Sequence, residues 1–483
     1  MNVKVISRNV GTALLVSAFF MFLSIIVSVA NGNDSALAAL LISFAVTFTI
    51  GVFPFIFVRK ASNITLPDGY MIIFLSWLLS FICGMLPYLL WGGPFSVANA
   101  WFESVSGYTT TGATILEDVE ALPRSLLFWR SSTHFIGGLG VVVFLLLIIP
   151  NSSPVRLRLA NMELSALSRD GYMTRANKTI YIFTYVYIGL ALAAFICYMA
   201  AGMSPFDAIN HAFSVVSTGG FSPRNLSVGY YGSNAVNIIT IVFMMVCSVH
   251  FAIVYLVFAT KSLKPLNNIV LKCFVSVLAV ASLLVTISLR VNGNCATWGE
   301  AAMDGVFQTV SFATTTGFAS CDNTSWPMFP CAVLILIGLP CGMAGSTSGG
   351  MKMDRIFLLF KTISRQVKTS IHPSSVSEVK MGSHIIKDED VFPHILFIAM
   401  YILLILLSVV LVLLLGGDNG NALNGVISSM SNIGLSFGGI SSHYNAEPTA
   451  AKFIYTMDMF LGRIEIYPVL AVFSLMAGHN KRK

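Results

Sequence analysis

The chain has 483 residues, of which 56% are hydrophobic and only 10% are charged. Soluble domains carry about 25% charged residues, so this composition excludes a water-soluble protein and predicts an integral membrane protein. The net charge of +7 includes no basic stripe that would indicate a nucleic-acid partner.

Ten apolar segments are long enough to cross the roughly 30 Å hydrocarbon core as helices. Because they are continuous rather than alternating, an outer-membrane barrel is disfavoured. With a cytoplasmic N-terminus, the inner segments hold 22 of the 28 Lys and Arg residues, which predicts that both termini lie inside. In chain order the segments are 10–30, 37–58, 69–91, 127–149, 180–200, 235–259, 269–289, 328–363 (interrupted), 392–415 and 450–477.

The outer segments are acidic, with residues such as Asp118 and Asp418. An acidic mouth would concentrate cations, although ordinary loop polarity explains the pattern equally well. Cys295 and Cys321 also fall on the outer side, where an oxidising environment would allow a disulfide between them.

A Thr/Ser/Gly cluster recurs four times, each time after a short semi-polar stretch and before another apolar span. The stretches, near 95–107, 205–215, 300–312 and 420–430, are too short to span and predict half-membrane helices. With their glycines aligned at separations of 107, 98 and 117 residues, the clusters are Thr110, Thr111 and Gly112; Ser217, Thr218 and Gly219; Thr315, Thr316 and Gly317; and Asn432, Ile433 and Gly434.

Four such loops around one axis predict an ion pore. Irregular backbone at membrane depth is tolerated only where it is buried or lines a watery cavity. Glycine permits a positive φ and leaves no side chain in the lumen. Rings of oxygen at such a constriction replace an ion's hydration shell. One cluster alone is more often a helix cap, but four in register favour the pore.

Two further features lie in the apolar spans. The span after the third cluster is interrupted by the small-residue loop, defined as Gly345, Ser346, Thr347, Ser348, Gly349 and Gly350. On its residues alone this loop is a helix break or a close-packing patch, and because it follows the third cluster it would lie beneath that cluster. Arg463 lies in the last span, where a charge is either functional or paired with Asp458 or Glu465.

Together these features resemble the Trk/Ktr/HKT superfamily of potassium transporters, and the length and two extra N-terminal helices resemble its TrkH-type pore subunits. The strings that carry the resemblance are SVSGYTTTGAT at 104–114, THFIGGLG at 133–140, STGGFSPR at 217–224, ATTTGF at 313–318 and GRIEIYP at 462–468. The resulting expectation is an all-α integral membrane protein with four span–pore-loop–span repeats around a pseudo-four-fold pore, plus an N-terminal two-helix hairpin.

The resemblance implies potassium uptake through a glycine-centred selectivity filter, gated by the small-residue loop and by a pore-facing Arg463. The fourth cluster departs from the others, since Asn432 and Ile433 replace threonines. Potassium is then a substrate, with no organic cofactor on this chain. The implied partners are membrane lipid, a second copy in a homodimer, and a cytoplasmic ring of nucleotide-binding regulatory subunits that docks on 151–178 and 361–390.

The predicted location is the cytoplasmic (inner) membrane. A secondary transporter that couples potassium or sodium entry to a proton or sodium gradient stays open as an alternative, although few acids lie along the spans. A membrane-embedded enzyme would need a His/Asp/Glu cluster that the sequence lacks. The predicted units are the hairpin 1–66 and the pore repeats 67–160, 161–264, 265–385 and 386–483.

Overall fold

The computed structural model describes residues 2–58, 65–140, 176–373, 378–381, 384–386, 388–437, 444–464 and 466–480. Its helices in chain order are α1 Val3–Ala30, α2 Leu37–Phe57, α3 Leu66–Trp91, α4 Val97–Tyr108, α5 Arg124–Leu139, α6 Ala176–Ala200, α7 Pro205–Val216, α8 Asn234–Cys247, α9 Phe251–Thr260, α10 Ile269–Val291, α11 Trp298–Ala313, α12 Met328–Gly338, α13 Met353–Ile371, α14 Asp388–Leu414, α15 Ala422–Met430, α16 Thr449–Ile464 and α17 Ile466–Asn480. Short 3-10 turns occupy Ser227–Tyr231 and Lys264–Leu266, and an unpredicted antiparallel hairpin pairs β1, Val379–Met381, with β2, His384–Ile386. The all-α fold class is confirmed apart from this hairpin.

Long apolar helices form the outer part of the molecule. Within the described residues, α1, α2, α3, α6, α10 and α14 are each long and apolar enough to cross a membrane. The predicted span 235–259 is bent, because the chain turns by 102° between α8 and α9, and the two helices together are apolar enough to cross a membrane. The span predicted at 127–149 starts as α5, but its second half lies outside the described residues.

The four half-membrane helices are present as α4, α7, α11 and α15, with 12, 12, 16 and 9 residues. Side-chain caps determine where three of them start. The hydroxyls of Ser96, Ser204 and Thr297 accept bonds from backbone N–H groups in the first turn, which would otherwise have no partner. Thr297 and Glu300 complete a reciprocal capping box.

The short helices and the helices that follow the clusters close into a ring. The helix after each cluster packs on the short helix of the next copy: α5 on α7, α8 on α11, α12 on α15, and α16 back on α4. Helix α1 packs on α2, α3 and α5, beside the first repeat.

Polarity is inverted relative to a soluble protein. Leucines on α14 such as Leu403 and Leu406 are 64% and 57% exposed, as expected where lipid covers the surface. Polar side chains at the ends of the short helices, including Thr110, Thr218 and Thr315, are instead fully buried. The fold therefore gathers its polar groups at the centre of the ring.

Candidate functional site

Each short helix ends in the same kind of turn. In the first copy, the Thr111 N–H donates to the Ser106 carbonyl at 3.0 Å and the Thr110 N–H donates to the Gly107 carbonyl at 3.1 Å. This crossed pair of bonds is a Schellman C-cap. The other three copies repeat both bonds at 2.8–3.1 Å, so the four turns are structurally equivalent.

A left-handed residue that is not glycine lies in every turn. These residues are Thr110, Thr218, Thr315 and Asn432, with φ between 52° and 57°. A β-branched residue with positive φ is a genuine outlier. Each such residue costs roughly 1–3 kcal/mol and persists only where the surroundings over-determine it, which is typical of functional sites.

A glycine with φ of 73–82° follows two residues later in each copy. A Cβ added to any of the four would lie closer than 3.0 Å to a carbonyl oxygen of the next copy. The contacts run from Gly112 to the Gly219 carbonyl, from Gly220 to Thr316, from Gly317 to Ile433, and from Gly434 back to Thr111. We call these four glycines, with the carbonyls that precede them, the glycine ring. It is closed, and any side chain at its glycines would overlap backbone.

The predicted register of the second cluster is off by one residue. Gly219 has the place of Thr111 in the turn, whereas Gly220 has the positive φ of 81°. Sequence alignment on glycine could not choose between two adjacent glycines. Ser214 supplies the missed signal, because it lies six residues before Gly220 just as Ser106 lies six residues before Gly112.

The side chains of the turns are less symmetric than the backbone. The Oγ1 atoms of Thr109 and Thr111 are 2.8 Å apart, and Thr314 and Thr316 repeat this contact at the same distance. In the fourth copy, Asn432 Nδ2 donates to Thr111 Oγ1 at 2.9 Å. The fourth copy therefore differs from the others, because its Asn432 side chain forms a bond to the first copy.

A buried ion pair that sequence reasoning missed lies within the first copy, and its arginine also contacts the second copy. Arg130 Nε lies 2.7 Å from Glu103 Oε1, with exposures of 2% and 0%. Arg130 Nη1 donates to the Ser222 carbonyl at 3.3 Å, and its guanidinium lies 3.8 Å from the centre of the Phe221 ring. Arg130 is a charge within a predicted span, so the rule that singled out Arg463 also applies to it.

His134, in the second half of the same helix, contacts the second cluster. Its Nδ1 lies 3.0 Å from Ser214 Oγ, and its ring stacks on Phe221 at 4.0 Å. A Cβ on Gly219 would overlap this imidazole. His134 therefore fills the space that Gly219 leaves open.

The small-residue loop lies directly against the turns. Thr347 Oγ1 donates to the Val216 carbonyl at the end of α7, at 3.0 Å. The Gly349 N–H donates to Thr315 Oγ1 at 2.9 Å, and a Cβ on Gly349 would overlap the Ser431 carbonyl. The loop thus touches the second, third and fourth copies.

The bend between α8 and α9 accommodates this loop. Met343 N–H donates to the Ser248 carbonyl at 2.9 Å, and Phe251 N–H donates to the Gly345 carbonyl at 3.0 Å. The break in the third repeat is wider than predicted, since α12 ends at Gly338 and α13 starts at Met353. Two broken helices therefore interlock beneath the turns.

Two positively charged side chains donate hydrogen bonds to consecutive carbonyls of the loop. Arg463 Nη1 donates to the Thr347 carbonyl at 2.5 Å, and Nη2 donates to the Gly137 carbonyl at 3.4 Å. Lys352 Nζ, which the sequence analysis did not single out, donates to the Ser348 carbonyl. Of the two acids considered as partners of Arg463, Asp458 accepts from Ser408 at 2.7 Å, and Glu465 lies outside the described residues.

At the outer mouth, some acids have structural partners. Asp207 pairs with Arg224 at 2.9 Å. The side-chain amide of Asn225 lowers the pKa of Asp118, and the backbone N–H of Gly420 lowers that of Asp418, so both carboxylates are ionised at neutral pH. An acidic cation-attracting mouth stays a prediction.

The disulfide considered for the outer side is not formed. Cys295 and Cys321 are both free thiols in the structure.

Comparison with known proteins agrees with this architecture. The family described as "TrkH: Cation transport protein" matches residues 37–482. The Trk system potassium uptake protein TrkH of Halomonas elongata is 32% identical over 98% of this chain and 99% of its own length, and that of Escherichia coli K12 is 29% identical over the same shares. The crystal structure of the potassium transporter TrkH from Vibrio parahaemolyticus superposes with a TM-score of 0.88 at 30% identity, covering 97% of this chain and 98% of that one. The chain therefore belongs to the TrkH family of cation transport proteins, and it is a membrane transport protein rather than an enzyme.

Proposed function

We propose that this protein takes up potassium across the cytoplasmic membrane through a channel-like pore whose selectivity filter is the glycine ring. The closed ring of backbone is the observation that carries the proposal. Its glycines alternate with carbonyl oxygens of neighbouring copies, and oxygen rings of this kind replace the hydration shell of a potassium ion. Relatives named potassium uptake proteins support the choice of ion.

The small-residue loop is the proposed gate. It bonds to the second and third copies, and Arg463 binds its Thr347 carbonyl. A guanidinium stays protonated at all ordinary pH, so Arg463 would add a fixed positive barrier on the cation path.

The proposed organisation is an N-terminal hairpin, α1–α2, followed by repeats of α3–α5, α6–α9, α10–α13 and α14–α17, with both termini cytoplasmic. We propose a homodimer with one pore per subunit. A ring of nucleotide-binding regulatory subunits would dock on the basic inner face through 151–178 and 361–390. The first of these segments is largely outside the described residues, and the second contains the end of α13 and the β hairpin.

Ion flux in liposomes under imposed potassium, sodium and proton gradients tests the proposed activity. A passive potassium pore follows the potassium gradient alone. Flux that requires a proton or sodium gradient would favour the alternative, a coupled secondary transporter, and would overturn the channel-like mechanism.

The filter assignment is tested by Gly112→Ser, Gly317→Ser and Gly434→Ser. Each adds a side chain where backbone of the next copy already lies, so we expect the potassium-to-sodium flux ratio to fall. Folded variants that all keep the parental ratio would reject the glycine ring as the filter.

Arg463→Ala tests the gate. We expect this variant to raise potassium flux per folded molecule, because the Thr347 carbonyl loses its bond to the guanidinium. Arg463→Lys keeps a positive charge and should change flux less. Lower thermal stability with unchanged or reduced flux would show that Arg463 is a structural residue only.

A further inference from the structure

One hydrogen bond joins the small-residue loop to a glycine-ring turn through a side chain of that turn. The Gly349 N–H donates to Thr315 Oγ1 at 2.9 Å, and Thr315 is completely buried. Thr315 is the left-handed residue of the third turn, two residues before Gly317. Its hydroxyl is therefore on the loop side of the glycine ring.

The equivalent residues of the other copies bond elsewhere. Thr218 Oγ1 donates to the Ser217 carbonyl at 2.7 Å, and Asn432 Nδ2 donates to Thr111 and to the Met459 carbonyl. Thr110 Oγ1 is buried and has no hydrogen-bond partner among the described residues. Among the described residues the Thr110 hydroxyl thus bonds to no other group, and an oxygen in that position of a pore turn fits a permeating cation as its ligand.

From these contacts we propose that Thr315 couples the loop to ion selection. In the closed arrangement its hydroxyl oxygen accepts the loop's N–H. When the loop withdraws, the same oxygen joins that of Thr110 as a ligand for the cation that leaves the glycine ring. This inference rests on the proposed function, because it requires the ring to be the filter and the loop to be the gate.

The proposal has a reciprocal consequence. The Gly349 N–H presents the positive end of its dipole to Thr315 Oγ1, so the loop and a cation compete for one oxygen. If loop closure weakens cation binding at this level, cation binding must weaken loop closure by the same factor. Potassium in the filter therefore favours withdrawal of the loop.

Thr315→Val and Thr315→Ser test the coupling in liposomes. Valine keeps the β-branched shape and thus the backbone strain, but removes the oxygen; serine keeps the oxygen. We expect Thr315→Val to raise potassium flux per folded molecule about fivefold, the effect of losing one ordinary hydrogen bond, and to raise the potassium concentration for half-maximal flux. Thr315→Ser keeps the hydroxyl, so both quantities should change less than in Thr315→Val.

Deletion of 345–350 separates failure of this inference from failure of the gate. If the deletion raises flux and Thr315→Val adds no further increase in that background, the coupling is supported. If the deletion raises flux but Thr315→Val behaves like Thr315→Ser, the coupling is wrong while the gate stands. If the deletion of the loop in folded protein leaves flux unchanged, the proposed gate itself fails, and the coupling fails with it.

A measurement without substitution at Thr315 keeps the test valid if valine prevents folding. The Ser346→Cys variant is treated with a thiol reagent, and modification at position 346 is followed by mass spectrometry. We expect modification to be at least about twofold faster in potassium than in N-methyl-D-glucamine, a cation too large for an oxygen ring. Equal rates in the two salts would overturn the competition.

Discussion

The glycine ring and the small-residue loop beneath it are stabilised in opposite ways. Every turn of the ring repeats the same two backbone bonds, and every glycine of the ring abuts the next copy. The loop occurs once, and individual groups secure it: the Thr347 hydroxyl on α7, the Gly349 N–H on Thr315, and the cations Arg463 and Lys352 on its carbonyls.

This difference indicates which part can move. A typical hydrogen bond contributes about 0.5–1.5 kcal/mol net, so a loop docked by a few of them can be displaced at modest cost. The ring cannot change in one copy without moving the backbone of the next. Substitutions in the ring should therefore alter ion selection or assembly, whereas substitutions at loop contacts should alter flux.

The largest effect is expected at Gly220, and its neighbour Gly219 should be less sensitive to substitution. Gly220→Ala places a Cβ against the Thr316 carbonyl at a φ of 81°, so the backbone of the third copy must shift. We expect loss of the folded protein. In any protein that still folds, the potassium-to-sodium flux ratio should fall about tenfold, which corresponds to about 1.4 kcal/mol of discrimination between the two ions.

Gly219→Ala is the matched control, because its Cβ meets the His134 imidazole and φ is not positive there. The imidazole can tilt where a backbone cannot, so the potassium-to-sodium flux ratio should fall less than in Gly220→Ala. If Gly219→Ala is the more damaging of the two, the register that the structure gives to the second turn is wrong.

The repeated part of the molecule could be predicted from the sequence, since four copies of one pattern reinforce each other. All four short helices and three of the four ring glycines lie where the pattern places them. The error at Gly219 arose because two adjacent glycines satisfy the same pattern, and the difference lies in a backbone angle.

The single-copy features were harder to predict. The bend at 248–250 contains no glycine or proline, and the backbone groups that it frees bond to Met343 and Gly345, which are distant in sequence. The interruption at 345–350 was visible from its small residues, but its contacts with Val216 and Thr315 depend on the closed ring.

The second prediction concerns the buried Glu103–Arg130 pair of the first copy. Glu103→Gln leaves the Arg130 guanidinium buried without its carboxylate, and removal of one partner of a buried pair costs about 3–5 kcal/mol. We expect a clear fall in the thermal unfolding temperature in detergent.

Glu120→Gln provides the comparison, because Glu120 lies 3.5 Å from Arg224 in an exposed pair. Pairs of that kind contribute about 0–1 kcal/mol, so this variant should unfold near the wild-type temperature. Similar shifts in both variants would mean that Glu103 and Arg130 do not stabilise the first two turns.

The smallest predicted effect tests the loop side of the comparison. Thr347→Val removes the Oγ1 bonds to the Val216 and Cys247 carbonyls and keeps the shape of the side chain. The loop loses about 1 kcal/mol of docking free energy, so potassium flux per folded molecule should rise about fivefold, with the potassium-to-sodium ratio unchanged. Thr347→Ser keeps the hydroxyl and should behave like wild type. A changed ion ratio in Thr347→Val would mean that the loop shapes the glycine ring as well as closing it, and the separation between a rigid ring and a displaceable loop would then not hold.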